Sequence, residues 1–210
     1  FQFLEEGDIA VVRRDSVKIF DAEGHQVERL VRESELTAVA TERGRFHHYM
    51  EKEIHEQPAA LMRTLEERIS DGGIPDSVFG ANAEEVLSKV TGMHIVACGT
   101  SYHAGLVARY QFEEIARLPC TVDIASEYRY RSPVVPEHTL FVAISQSGET
   151  ADTLAALRAT KGLGYLATLA ICNVSESSLT RESDLVLMTR AGQEIGVAST
   201  KAFTTQLAAL

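Results

Sequence analysis

Several kinds of residue are scarce in this 210-residue chain, and each shortage excludes a class of protein. There are only three cysteines, Cys98, Cys120 and Cys172, each in or beside an apolar run. Three cannot all pair within one chain, so buried thiols in a reducing cytosol are expected rather than a disulfide framework. Positive charge is also short: 20 Lys and Arg against 30 Asp and Glu give a formal net charge of -10. That argues against general nucleic-acid or membrane-surface binding. It leaves room for an anionic ligand, because a loop can offer local positive potential inside an acidic protein. Five prolines and 14 glycines are too few for a disordered or collagen-like chain. No apolar run is long enough to span a membrane, since breaks such as TKGLG and single charges interrupt each one. No signal-peptide pattern opens the chain. Phe1 enters directly into FQFLEEGDIAVV, and Leu210 stops inside KAFTTQLAAL without a cap or breaker. Both ends read as cuts in a longer protein.

What is present divides into two differently built regions. Half of the basic and half of the acidic residues fall in the first 70 positions. Residues 3–11 and 15–20 are strand-like, and Asp21-Ala22-Glu23-Gly24 reads as a turn between KIF and HQVERL. This predicts a small antiparallel ribbon, too thin to stand alone. Residues 36–45 are polar and weakly patterned, a candidate linker. HHYMEKEIHEQPAALMRTLEERI then predicts helix, with Met50, Ile54, Leu61, Leu65 and Ile69 as its apolar stripe. Gln57-Pro58 marks a kink or a restart, and Asp71-Gly72-Gly73 a stop.

From about residue 75 one grammar recurs. The segments MHIVACG, CTVDIAS, TLFVAIS, YLATLAICN and DLVLMTRAG are apolar strands without alternation, separated mostly by helix-length segments. Such strands are covered on both faces, so the expected fold is a doubly wound α/β domain: a mostly parallel five-stranded sheet with helices on both sides. Ligands of such folds bind at the carboxyl ends of the strands.

Two motifs sit at that end. CGTS (Cys98 to Ser101) follows the first strand, and SQSGET (Ser145 to Thr150) follows the third. In each, small residues join strand to helix, leaving backbone N–H groups unpaired at a helix start. Ser145, Ser147 and Thr150 add hydroxyls, Thr150 is a candidate N-cap, and Gly148 would permit close approach and an unusual φ. The set suits a phosphate monoester. The lysine of a P-loop and the GxGxxG of a dinucleotide site are both missing. Serines and threonines here could serve equally as turn and cap residues; their recurrence at two strand ends favours a ligand. Gln146 could donate to a phosphate or a sugar oxygen, and Glu149 should point away or hold backbone N–H groups.

A third candidate is AGQEIGVASTKAF. Val197, Ala198 and Ser199 would lie beside the crevice, with Ser199-Thr200 capping a helix whose Phe203, Leu207 and Leu210 face inward. Glu194 is a possible acid or base without a visible partner, and Lys201 could counter a phosphate or sit in solvent. Cys98 as a nucleophile is disfavoured, because His94 lies about 13 Å away along an extended strand. The remaining histidines offer no tight metal spacing, so no metal site is expected.

The motifs SQSGET, CGTSYHAG and EIGVASTKAFTTQL, with HYMEKEIHEQP and FLEEGDIAVV before them, resemble the glutamine:fructose-6-phosphate amidotransferase family. The resemblance spans essentially the whole chain. It implies the last strands of a glutaminase domain at 1–37, a linker at 38–47, and the first sugar-isomerase (SIS) subdomain at 48–210. It further implies transfer of glutamine-derived ammonia to fructose 6-phosphate, giving glucosamine 6-phosphate and glutamate, without metal or organic cofactor. By the same resemblance Thr100, Ser101, Ser145, Gln146, Ser147 and Thr150 are phosphate and sugar ligands, with Val197 and Ser199 contacting or flanking the sugar. Family members are cytoplasmic homodimers with an active-site histidine reaching across from the partner. The glutaminase cysteine, the condensing lysine, the proton-moving base and the ring-opening histidine all fall outside these 210 residues. No residue here is therefore expected to be catalytic, and the chain alone is expected to be inactive. The competing readings are a non-catalytic sugar-phosphate sensor, a plain aldose–ketose isomerase, and a structural α/β domain.

Overall fold

The computed structural model describes residues 2–31, 42–70 and 73–210, and the chain separates into two compact units, Phe1–Glu42 and Arg43–Leu210. The first holds three short antiparallel strands in sequence order: β1 (Ile9–Val12), β2 (Val17–Phe20) and β3 (Gln26–Val27). The expected turn is there, with Asp21 Oδ1 accepting from the N–H groups of Glu23 and His25 at 3.1 and 2.8 Å. The first strand starts later than its sequence suggests. Residues before Ile9 turn instead, because Gly7 takes a φ of +88° and the Asp8 carboxylate accepts from the Glu5 N–H. Two parallel bonds from Arg29 to Asp8, both 2.9 Å, fix that turn. Most of the predicted linker, residues 36–41, lies outside the described residues; 42–48 form neither helix nor strand.

The second unit carries the predicted sheet. Its strands are β4 (Gly92–Ala97), β5 (Cys120–Ile124), β6 (Thr139–Ser145), β7 (Ala167–Cys172) and β8 (Leu185–Met188), all parallel, in the order β5-β4-β6-β7-β8. The connecting helices are α1 (Tyr49–Leu65), α2 (Ala83–Leu87), α3 (Gly99–Gln111), α4 (Ala125–Tyr128), α5 (Ala151–Ala159), α6 (Ser178–Glu182) and α7 (Lys201–Ala209). Both sheet faces are covered, which is why the strands read as unbroken apolar runs. One face packs Ile95, Val142 and Leu169 with Ala83 of α2, Ala108 of α3 and Ala209 of α7. The other packs Val96, Phe141 and Ala170 with Tyr128 of α4, Leu154 of α5 and Leu179 of α6.

Strand order places the switch point. From β4 the chain moves outward to β5, then returns to the other side of β4 to lay down β6, β7 and β8. The connections after β4 and β6 therefore diverge from neighbouring strands, opening a crevice between them. Ala97 and Ile144 are register partners, so CGTS and SQSGET leave the sheet at the same level.

Two helices differ from expectation. Helix α1 runs unbroken through Pro58, and its apolar stripe is not its buried face: Met50, Ile54, Leu65 and Ile69 are exposed, Ile54 by 47%. The buried residues are Glu53, Ala60 and Thr64, spaced seven and four apart on one face. Hydrogen bonds decide the orientation. Arg63 and Thr64, with Arg68 just past the helix, donate to the carbonyls of Met188 at the end of β8 and of Thr189, Arg190 and Ala191 beyond it, groups with few other partners at the end of an edge strand. The predicted stop at Asp71-Gly72 lies outside the described residues; the helix ends at Leu65. In α7 the buried residues are Lys201, Ala202, Thr205 and Gln206, while Phe203, Leu207 and Leu210 are only half-buried. That helix packs against α1, so its inner side meets a polar surface rather than an apolar one.

Candidate functional site at the strand ends

The crevice is a cavity of about 370 Å³ lined by twelve residues. Thr100 and Ser101 enter from the start of α3; Ser145, Gln146, Ser147 and Thr150 from the β6–α5 turn; Val197 and Ser199 from the segment before α7. All eight residues singled out in the sequence thus share one cavity. Cys98, Gly99, Ile144 and Ala198 complete the lining, which contains no charged side chain.

Each wall is built by a different device. The β6–α5 turn folds on its own hydroxyls: Ser145 Oγ accepts from the Gly148 N–H at 3.0 Å, and Ser147 Oγ accepts from the Glu149 N–H at 3.2 Å. Thr150 begins α5 but does not cap it with its side chain; its Oγ1 lies 3.1 Å from Ser145 Oγ instead. Glu149 turns away from the cavity and accepts from the Ser178 N–H at 2.6 Å, while the Gly148 carbonyl accepts from the Leu179 N–H at 3.1 Å. The turn is thereby clamped to the start of α6. Gly148 takes a φ of +68°, and a Cβ there would lie 2.4 Å from Ser177 Cβ.

The third wall is irregular backbone held by carboxylates. Glu194 Oε1 accepts from the N–H groups of Thr200 and Ala202 at 2.9 and 3.1 Å, and its Oε2 accepts from the Ser199 hydroxyl at 3.0 Å. Glu194 therefore does the capping that the sequence assigned to Ser199 and Thr200. Lys201 neither faces solvent nor lines the cavity; it is buried and paired with Glu56 of α1 at 2.6 Å. Glu53 was missed altogether. Its signal was available: Glu53, Ala60 and Thr64 fall on one helical face, where a lone acid among small residues marks a buried polar contact.

Of the cysteines, Cys120 and Cys172 are buried, while Cys98 is half-buried on the cavity wall, more open than expected. Burial pushes the Cys120 thiol up to about 11 and also raises Cys172, so both stay protonated and poor as nucleophiles. His94 does not approach Cys98; it is bonded to Asp123 and Tyr165 at 2.8 and 2.7 Å. Among the described residues no three His, Cys, Asp or Glu side chains form a group able to hold a metal ion. No helix among them is long and apolar enough to cross a membrane.

Known proteins share the sequence and the fold of this chain. The chain is 60% identical over all 210 residues to the glutamine--fructose-6-phosphate aminotransferase [isomerizing] of Pseudomonas syringae pv. tomato, and 60% identical to that of Escherichia coli. It spans 34% of the length of each, about a third of the curated relatives it matches. Among solved structures, the C-terminal domain of glucosamine-fructose-6-phosphate aminotransferase from Francisella tularensis superposes with a TM-score of 0.78 at 54% identity. That match covers 80% of this chain and 47% of that one. The profile of the SIS domain matches residues 87–210, the stretch that contains all three walls of the cavity. With the doubly wound parallel sheet, and with similarity to these aminotransferases running from end to end, the chain belongs to the SIS domain family.

Proposed function

We propose that this chain grips a hexose 6-phosphate, as part of an enzyme that transfers glutamine-derived ammonia to fructose 6-phosphate to give glucosamine 6-phosphate and glutamate. The observation that carries the reading is the cavity itself: six hydroxyl side chains, an amide and two helix starts converge at the switch point. A phosphate monoester accepts hydrogen bonds and does not donate them when ionised, so it needs such donors. First-turn N–H groups without intrahelical partners supply more, and the helix dipole favours the anion.

The hydroxyls are not equivalent. Ser147 Oγ accepts from a backbone N–H, which leaves its own O–H free to donate. Ser199 spends its O–H on Glu194, a carboxylate that only accepts, which leaves Ser199 lone pairs for a sugar hydroxyl. This supports a phosphate at the β6–α5 turn and the hydroxylated carbons toward Ser199.

The lining holds no lysine, histidine or carboxylate to condense with a ketose or move its proton. Its part in the reaction is binding; the isolated chain should form no glucosamine 6-phosphate from fructose 6-phosphate and glutamine. A homodimer, a cytoplasmic location and a glutamine-hydrolysing partner domain belong to the same proposal. Calorimetry with fructose 6-phosphate and with fructose tests the binding reading. Strong preference for the phosphorylated sugar is the expected result, and equal binding would defeat it. Ser147→Ala should weaken the phosphorylated ligand by about 1–3 kcal/mol and leave fructose unaffected, the range for a hydrogen bond to a charged group. An unchanged affinity would place Ser147 outside the ligand's reach.

A further inference from the structure

We infer that Glu53, which lies on α1 and outside the cavity lining, is a positioning residue that sets where Val197 and Ser199 stand. It would thereby control the grip on the sugar portion of the ligand and not on the phosphate. The inference rests on the sugar-phosphate reading of the cavity for its effect on binding, though its structural half can be tested without any ligand.

The Glu53 side chain is buried, 2% exposed, in the face of α1 that meets the segment after β8. Its Oε1 accepts from two successive backbone groups, the N–H of Ile195 at 2.6 Å and of Gly196 at 3.0 Å; Oε2 also lies 3.3 Å from the Gly196 N–H. The fit is close. A Cβ added to Gly196 would lie 2.5 Å from Glu53 Oε2, so the carboxylate occupies the space that any larger residue would need.

Position along the chain makes this contact consequential. Residues 192–198 have no helix or strand to fix them. Up to Ala191 the backbone is stitched to α1 by Arg63 and Thr64, and to the turn after it by Arg68. From Ser199 onward it is held by Glu194. Between those two anchors Asn173 donates to the Gly192 carbonyl at 2.7 Å, and Glu53 holds Ile195 and Gly196; Val197, fully exposed, follows directly. Ordering such a stretch costs conformational entropy for each residue, which the two charge-assisted bonds offset. The opposite wall does not depend on them, because the β6–α5 turn is clamped to α6.

Glu53→Gln removes the charge from the oxygen that accepts both bonds and puts an NH₂ where Oε2 faces the Gly196 N–H, so the anchor is weakened with little change of volume. In this variant fructose 6-phosphate should bind about tenfold more weakly, while inorganic phosphate, which reaches only the turn, should stay within about twofold, given what hydrogen bonds to charged groups contribute. Gly196→Ala should reproduce the selective loss from the other side of the contact. The double variant should add little, since both changes break one interaction. A merely destabilising effect would weaken both probes together, and that result overturns the inference, as does an unchanged fructose 6-phosphate affinity in either variant. Should Glu53→Gln fail to fold, Gly196→Ala alone decides the matter by the same two probes. Hydrogen exchange of the 210-residue chain without ligand separates this idea from the binding reading. The amides of Ile195 and Gly196 should exchange faster in Glu53→Gln while that of Gly148 does not; unchanged exchange at 195 and 196 overturns the positioning role even if the cavity binds sugar phosphates as proposed.

Discussion

Gly148→Ala should cost about 2–5 kcal/mol of stability, the sum of about 1–2 for an L-residue held in the left-handed region and about 1–3 for overpacking a tight contact. Both parts apply because φ is +68° and the new Cβ would lie 2.1 Å from Ser177 Oγ, 2.4 Å from Ser177 Cβ and 2.8 Å from Cys172 Sγ. A rotated hydroxyl could relieve the first clash, but the second involves an atom fixed to the backbone of Ser177, at the cap of α6. The turn must therefore shift, and with it the bonds that Ser145 and Ser147 make to the Gly148 and Glu149 amides. The proposed binding of fructose 6-phosphate should be lost along with the stability. Gly99→Ala is the natural comparison. It too has a positive φ, +57°, but meets nothing within 4 Å, so it should show only the strain, about 1–2 kcal/mol. Adding Ser177→Gly to Gly148→Ala removes two of the three clashing atoms, leaving Cys172 Sγ, and should recover part of the difference. Chemical denaturation of the four proteins measures all of this, and equal losses for Gly148→Ala and Gly99→Ala would refute the steric account.

His94→Ala should be nearly as costly, about 2–4 kcal/mol at pH 7, because it opens a cavity and takes a hydrogen-bond partner from the half-buried Tyr165 and Asp123. The ring is 6% exposed on β4 and lies in a directed chain of hydrogen bonds. Tyr128 donates to the Tyr165 hydroxyl at 3.0 Å, so Tyr165 donates to His94 Nδ1 at 2.7 Å, and His94 Nε2–H donates to Asp123 at 2.8 Å. Arg131 also bonds that Asp123 oxygen. The chain assigns a neutral imidazole with its proton on Nε2. A second proton on Nδ1 would oppose the Tyr165 O–H, and burial, the largest influence, lowers the His94 pKa although Asp123 raises it. Burial pushes the Tyr165 hydroxyl far up, so it remains a donor across the working pH range.

The sign for stability follows from that direction. With the folded value below the unfolded one of about 6.5, the unfolded chain takes up a proton that the folded chain refuses. The His94 contribution is therefore fully present above about pH 6.5 and is lost as pH falls toward its folded value. Wild-type stability should decline between pH 7 and pH 5.5, and His94→Ala should flatten that decline while lowering stability at pH 7. Tyr165→Phe frees Nδ1 to accept a proton, so it should also reduce the acid sensitivity. Denaturation curves at the two pH values test this; an equally steep decline in His94→Ala would assign the acid sensitivity to other groups.

Much of the molecule was open to sequence reasoning, for reasons visible in particular residues. The five strands were legible because both faces of the sheet are buried, so TLFVAIS is apolar at nearly every position and all seven of its residues are buried. Five of the eight cavity residues, Thr100, Ser101, Ser145, Ser147 and Thr150, were legible because hydroxyls at strand–helix junctions follow a local rule that does not depend on distant contacts. Helix α1 was misread for the opposite reason. Its apolar stripe predicts the buried face only if burial of apolar area decides the orientation; here Glu53, Thr64 and Arg68 bond the segment beyond β8, more than 100 residues later in the chain. Lys201 is ambiguous on the same ground, since its partner Glu56 is settled by how α1 and α7 come together, whereas the partners of Glu194 lie only five to eight residues away.

The sequence by itself determined a parallel α/β sheet and a pair of hydroxyl-bearing turns at strand ends, because these depend on periodicity and on neighbours a few residues away. Only the tertiary structure decided that β4 and β6 are adjacent and in register, which turns two separate motifs into one cavity. It also decided that a glutamate on α1 holds the third wall. Strand order and long-range hydrogen bonds are properties of the assembled chain, and no local pattern of residue types encodes them.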